Sequence, residues 1–177
     1  MNKVLIVSDS HGWTVELDEL KKRHQTAAKI HCGDSELASC APHMNGFVKV
    51  KGNCDWKADF PLDEVVEIGG LTFFVTHGHR YDVKRSLLHL QYRAKELHAD
   101  VVCFGHSHIA YAEEIDGQLF INPGSIRQPR RFKEPSYAVL EWDDASRIQV
   151  VFYRNDGQAI TSFPYEKQFN IKNNNLC

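Results

Sequence analysis

Five short segments constrain this chain more than anything else in it: "SDSHG", "CGD", "GNCD", "THGH" and "GHSH". Each follows a short apolar run, and each sets a glycine beside polar or imidazole side chains. Runs such as "KVLIVS", "AKIH", "FVKV", "LTFFV" and "DVVCF" have the length and β-branched content of strands buried on both faces. A chain that ends one buried strand after another in this way is expected to place its polar groups along one edge of an open α/β sheet. That edge, beyond the carboxyl ends of the strands, is where such sheets bind ligands.

The rest of the chain fits one α/β domain. Leu17 and Leu20 recur at helical spacing in "TVELDELKKRH", and a second helix is expected from Asp82, as its cap, through Val83, Leu87, Leu90, Ala94 and Leu97. Gly69-Gly70 and Asp116-Gly117 mark hairpin turns, and a third hairpin is expected around Asp143 to Ser146. Early strand–helix alternation followed by hairpins suggests a mixed sheet or two sheets. At 177 residues one domain over 1–167 is expected, with a frayed tail over 168–177.

Charge and cysteine content narrow the function classes. A net charge of −2 gives no reason to expect nucleic acid, other than as a substrate, or an acidic lipid surface as partner. The first apolar run is too short for a membrane span or signal-peptide core. Five cysteines without CxxC spacing indicate reduced thiols and a cytoplasmic location. Cys32 and Cys103 fall inside apolar runs and read as core residues.

The five segments bring together Asp9, His11, Asp34, Asn53, His77, His79, His106 and His108. Imidazole nitrogen with carboxylate and amide oxygen is a metal-ligand set of intermediate hardness. Leaving His79 aside, seven such groups exceed the needs of one ion, so two divalent metals sharing a carboxylate is the economical reading. Ions roughly 3.5–4 Å apart can clamp both the attacking and the leaving oxygen of a phosphoryl displacement. Taken singly, a DxH or HxH pair is more often an ordinary turn; the ordered combination is what carries the metal reading.

DxH, GD, GN, HGH and GHxH in this order resemble the calcineurin-like metallophosphoesterase superfamily. "GNCD" with "NPGS" resembles its small single-domain phosphodiesterase branch, the YfcE/MJ0936-like group. The resemblance runs from about Lys3 to Tyr153. It implies a four-layer sandwich of two packed mixed β-sheets flanked by helices. It also implies one metal on Asp9, His11 and His108 and a second on Asn53, His77 and His106, with Asp34 bridging. The implied reaction is hydrolysis of a small phosphate ester by a hydroxide bridging two divalent metals. Mn²⁺ is favoured, with Ni²⁺, Co²⁺, Fe²⁺ and Zn²⁺ chemically acceptable.

One departure stands out. Most of the superfamily carries His where this chain has Cys54, and that His is held to protonate the leaving oxygen, oriented by the acidic residue that follows. Cys54 is therefore read as a bystander, a weak acid, a ligand, a nucleophile or half of a disulfide, and His79 as a substitute acid. Asn122 and Ser125 of "NPGS" are candidates to orient a ligating histidine, and Arg127 to meet a phosphate. "RQPRRFK" reads as a solvated loop or an anion-attracting patch. The rival readings are a phosphomonoesterase and a non-catalytic protein-binding scaffold, the use made of this fold by a retromer subunit. Fold-level analogy allows a homodimer, and the pocket loops carry no nucleotide-binding signature.

Overall fold

The computed structural model describes residues 1–143, 147–161 and 167–169. The first apolar run forms β1 (Asn2–Val7), followed by α1 (Val15–Arg23), β2 (Ala28–His31) and β3 (Val48–Lys49). Next come β4 (Asp63–Ile68), β5 (Leu71–Thr76), α2 (Leu88–Glu96) and β6 (Val101–Cys103). The chain closes with β7 (Ala110–Ile115), β8 (Gln118–Pro123), β9 (Ser136–Trp142), β10 (Ile148–Arg154) and β11 (Lys167–Phe169). Two mixed sheets result, ordered β11-β10-β9-β1-β2-β3 and β4-β5-β6-β8-β7.

Alternation along the strands decides the layering. Val4 and Ile6 of β1 face one way, into a core shared with Phe73 and Val75 of β5 and Val101 and Cys103 of β6. That core lies between the sheets. Leu5 and Val7 face the other way and meet Leu17 and Leu20 of α1. Phe74, Val102 and Phe120 of the second sheet turn outward onto Leu90 and Ala94 of α2. Helix, sheet, sheet and helix therefore form four layers, as the resemblance implied. Cys32 and Cys103 lie fully buried in the central core, where burial drives both thiols up and away from ionisation.

In each sheet three neighbouring strands run parallel: β1, β2 and β3 in one, β5, β6 and β8 in the other. The segments beyond their carboxyl ends come to one end of the sandwich. Backbone bonds extend the ladders past the strands, from Asp9 N to Gly33 O at 3.0 Å and from Gly105 N to His77 O at 3.1 Å.

Two expectations need correcting. The second helix begins at Leu88, not at Asp82. Asp82 takes a left-handed φ of 52°, and its carbonyl accepts the Arg85 and Ser86 amides at 2.9 and 3.2 Å, closing a separate turn. Val83 still packs with Leu90 and Ala94, so the apolar spacing reports the buried face correctly across a break in the helix. The expected frayed tail overlaps β11, where Gln168 pairs with Gln149; residues 170–177 lie outside the described residues. The hairpin joining β9 and β10 is present, its turn at 144–146 lying outside them as well.

Candidate metal centre

Asp9 and His11 leave β1 on left-handed backbone, with φ of 53° and 42°. His106 and His108, beyond β6, do the same at 65° and 59°. This conformation turns alternate side chains inward toward the end of the sandwich. Two glycines permit the approach: a Cβ on Gly105 would lie 2.0 Å from Ser8 Oγ, and one on Gly52 2.0 Å from Asp34 Oδ1.

Asp9 is fully buried, and His11 and His108 nearly so. His108 Nε2 lies 3.0 Å from Asp9 Oδ1 and His11 Nε2 3.8 Å from it, with the two Nε2 atoms 3.4 Å apart. The far side of each ring fixes its tautomer. His108 Nδ1 donates to the Gln128 carbonyl at 2.8 Å, and His11 Nδ1 donates to Glu36 Oε1 at 2.7 Å. With Nδ1 of each ring engaged from behind, both Nε2 atoms face the buried Asp9 Oδ1 and are free to offer lone pairs to a cation in place of a proton. Three electron-pair donors converging on one point fit a cation.

A second convergence lies beside the first. His77 Nδ1 donates to the Cys32 carbonyl at 2.7 Å, leaving its Nε2 3.2 Å from both Asp34 Oδ2 and Asn53 Oδ1. Donor atoms of Asp9, Asp34 and His77 lie within 4.8 Å of one another, so Asp9 belongs to both groups. The His106 ring packs on His77 at a centroid distance of 5.1 Å and remains half-buried. In the absence of a cation, protons relieve the crowding. Burial lowers His77 and His108, but the Asp34 and Asp9 carboxylates outweigh it and raise both. Burial opposes ionisation of Asp9 and Asp34 too, and their imidazole partners overcome it, holding both carboxyls below the usual range. His106 is pushed down to about 4, by burial first and then by the charge of His77 and Lys84.

Cys54 is a free, half-buried thiol, which removes the disulfide reading. Its amide donates to Asp34 Oδ1 at 2.7 Å. Burial and the Asp34 carboxylate push the thiol up to about 11, which disfavours the free thiolate that nucleophilic attack requires, while its Sγ lies within 4.8 Å of ligand atoms of His11 and Glu36. It lines a cavity of about 320 Å³ with Glu36, Trp56 and Lys57. His79 packs 5.4 Å from His77, with Nδ1 buried and without a hydrogen-bond partner.

Asp55 has no imidazole to orient and acts elsewhere. Its buried carboxylate accepts the amides of Asp34, Gly52 and Glu36, each at 2.7 Å, clamping the loop after β2 to the loop after β3. Among the described residues neither the Asn122 nor the Ser125 side chain hydrogen-bonds a histidine ring. Asn122 Nδ2 donates to the Gly105 carbonyl at 2.8 Å and Ser125 Oγ to the Asp9 carbonyl at 2.8 Å; they hold the loops, not the rings. Arg127 donates to the His11 carbonyl and lies over the Trp13 ring.

Two contributors escape the sequence reading. Glu36, only two residues past Asp34, supplies the carboxylate that orients His11. Fully buried His31 accepts the Gly33 amide at 3.2 Å and meets Ser10 Oγ at 2.9 Å, bracing the loop between Asp9 and His11. An acid two positions after a candidate ligand was the available signal for Glu36; none marked His31 off from a core residue.

Residues 2–145 match the calcineurin-like phosphoesterase superfamily domain. The chain is 48% identical over 160 residues to the probable metallophosphoesterase YsnB of Bacillus subtilis, covering 89% of this chain and 94% of that protein. It is 30% identical over 143 residues to the phosphodiesterase MJ0936 of Methanocaldococcus jannaschii, covering 69% and 82%. A crystal structure from Streptococcus pneumoniae, described as a predicted phosphoesterase, superposes with a TM-score of 0.90 at 35% identity, covering 96% of this chain and 97% of that one. This chain belongs to the calcineurin-like phosphoesterase superfamily.

Proposed function

We propose that this member of the superfamily is a phosphodiesterase working with two divalent metal ions, Mn²⁺ favoured, on a small phosphate diester in the cytoplasm. The observation that carries the proposal is the pair of converging lone-pair clusters sharing Asp9, one around His11 and His108 and one around Asp34, His77 and Asn53. On this reading His106, packed against His77, joins the second set when metal binds, and Asp34, 3.2 Å from His77 Nε2, serves as the bridging carboxylate that the resemblance implies. When bound, the two cations supply Lewis acidity and lower the pKa of a water enough to make a nucleophile at neutral pH.

The protein's own part is positional. Glu36 and the Gln128 carbonyl fix the rings of His11 and His108, and the Cys32 carbonyl fixes His77. The Asp55 clamp holds Asp34 against Asn53. At the rim Cys54 supplies no imidazolium where most of the superfamily has one. General acid catalysis is worth about 10²–10⁴-fold, felt most for basic leaving groups. Aryl diesters are therefore the preferred substrates over alkyl esters and monoesters.

The test is hydrolysis of bis-p-nitrophenyl phosphate by metal-stripped protein with Mn²⁺ restored. Activity is expected to need the metal, to collapse in Asp34→Asn and to survive in Cys54→Ala, far short of the ~10²-fold loss a missing general acid brings. Equal rates for aryl and alkyl esters would remove the leaving-group reading. Silence with every divalent metal, together with no metal binding, would transfer the chain to the scaffold reading.

A further inference from the structure

A second cavity, of about 310 Å³, is lined in part by the loop that carries His106 and His108. Its floor is apolar, formed by Val83, Leu87, Phe104 and Ile109, and its rim carries Lys84, Arg130 and Arg131. Ser107, between the two histidines, is part of the wall, so the cavity adjoins the metal centre. The Arg130 amide also donates to the His108 carbonyl at 2.9 Å, which fastens the basic segment to the metal loop.

The charge on this rim is uncompensated. Nearby surface cations are paired, Arg93 with Glu96 and Lys95 with Asp116. Among the described residues Lys84, Arg130 and Arg131 form no ion pair. Three cations without a carboxylate partner around an apolar floor, Arg131 resting over the Phe132 ring and Lys84 and Arg130 left to meet a ligand, on a chain of net charge −2, match a ligand that is itself both apolar and anionic. The volume lies at the lower end of the ~300–1,000 Å³ typical of small-molecule sites. That suits one ring-bearing arm of a substrate rather than a whole one.

Resting on the diesterase reading above, we propose that this cavity receives the non-leaving arm of the diester, and that the arm carries a second phosphate. The ring of the arm lies on the Phe104 floor, and the second phosphate meets Lys84 and Arg130, Arg supplying the planar donor pair suited to phosphate oxygens. The substrate class is then a phosphodiester with a further phosphate two to three bonds beyond its ring.

Calorimetry on the full chain, metal-stripped, with thymidine 3′,5′-bisphosphate and thymidine 5′-monophosphate as probes, reads the subsite directly. The bisphosphate is expected to bind on the order of tenfold more tightly, a preference that shrinks with added salt and falls to near parity in the Lys84→Ala/Arg130→Ala double variant. Equal binding of the two probes by wild type, or a preference intact in the double variant, would overturn the proposal. With Mn²⁺ restored, thymidine 3′-phosphate 5′-(p-nitrophenyl phosphate) is expected to outrun thymidine 5′-(p-nitrophenyl phosphate) by a similar factor in kcat/KM. No hydrolysis of either ester, with the binding preference retained, would overturn the diesterase reading and support the subsite. Equal hydrolysis with equal binding would do the reverse.

Discussion

The two halves of the metal centre are built differently. Around Asp9, His11 and His108 the donor atoms already crowd together, and each ring is held from behind by a carboxylate or a carbonyl. Around Asp34 and His77 the buried donors are those two and the shared Asp9. Asn53 is exposed and His106 half-buried, and the His106 nitrogens do not join the donor group. One half is preorganised, and the other completes its shell when a cation arrives. Rigid donors lose less conformational freedom on binding, so the two ions should bind with unequal affinity.

Substitution at the carboxylate common to both halves has the largest expected effect. Asp9→Asn should abolish tight binding of both ions and reduce diesterase activity by more than the roughly 100-fold that loss of an outer partner costs. Calorimetric titration with Mn²⁺ alongside the activity assay checks it, and retention of one tight event would show that the halves are independent. A smaller effect separates them. Asn53→Ala should leave the tighter event in place and weaken the other by about 10- to 100-fold. Equal weakening of both events would dissolve the distinction drawn here.

The smallest effect lies in the foundation of the rigid half. Burial holds His31 down at about 4 from an ordinary value of 6.5, against the pull of the Asp55 and Asp9 carboxylates. The unfolded chain therefore takes up this proton first, and acidification from pH 6.5 toward 4 must weaken the fold. The His31 share is on the order of 2–3 kcal/mol. His77 and His108, raised in the fold, act with the opposite sign, losing their contribution as pH rises. The difference between urea-unfolding profiles of metal-free wild type and His31→Gln isolates the His31 share. Parallel profiles would show that it titrates freely.

The architecture was legible because burial writes itself into strand and helix periodicity. The parallel strands that build the site's edge, the two glycine-marked hairpins and the apolar face of α2 all follow from spacing alone. What spacing does not carry is the pairing of groups distant in the chain. Glu36 meets His11 across 25 positions, and only the pairing of β1 with β2 sets them side by side. With Cys54 in the preceding position Asp55 was left without an imidazole to orient, and no spacing announced that its carboxylate serves three backbone amides. The start of α2 was misplaced because a turn residue in left-handed backbone leaves no mark on the hydrophobic pattern.

Among the described residues ten other than glycine hold a positive φ, and Asp9, His11, Asp34, His106 and His108 are among them. Such a residue costs roughly 1–2 kcal/mol relative to ordinary backbone, and glycine there would remove that cost. Mutational drift therefore meets a slope at this edge: glycine replacements that relieve strain also delete ligands. A library selected only for thermal resistance should accumulate them there, and a lineage freed from the need to bind metal would gain durability by forgetting its chemistry.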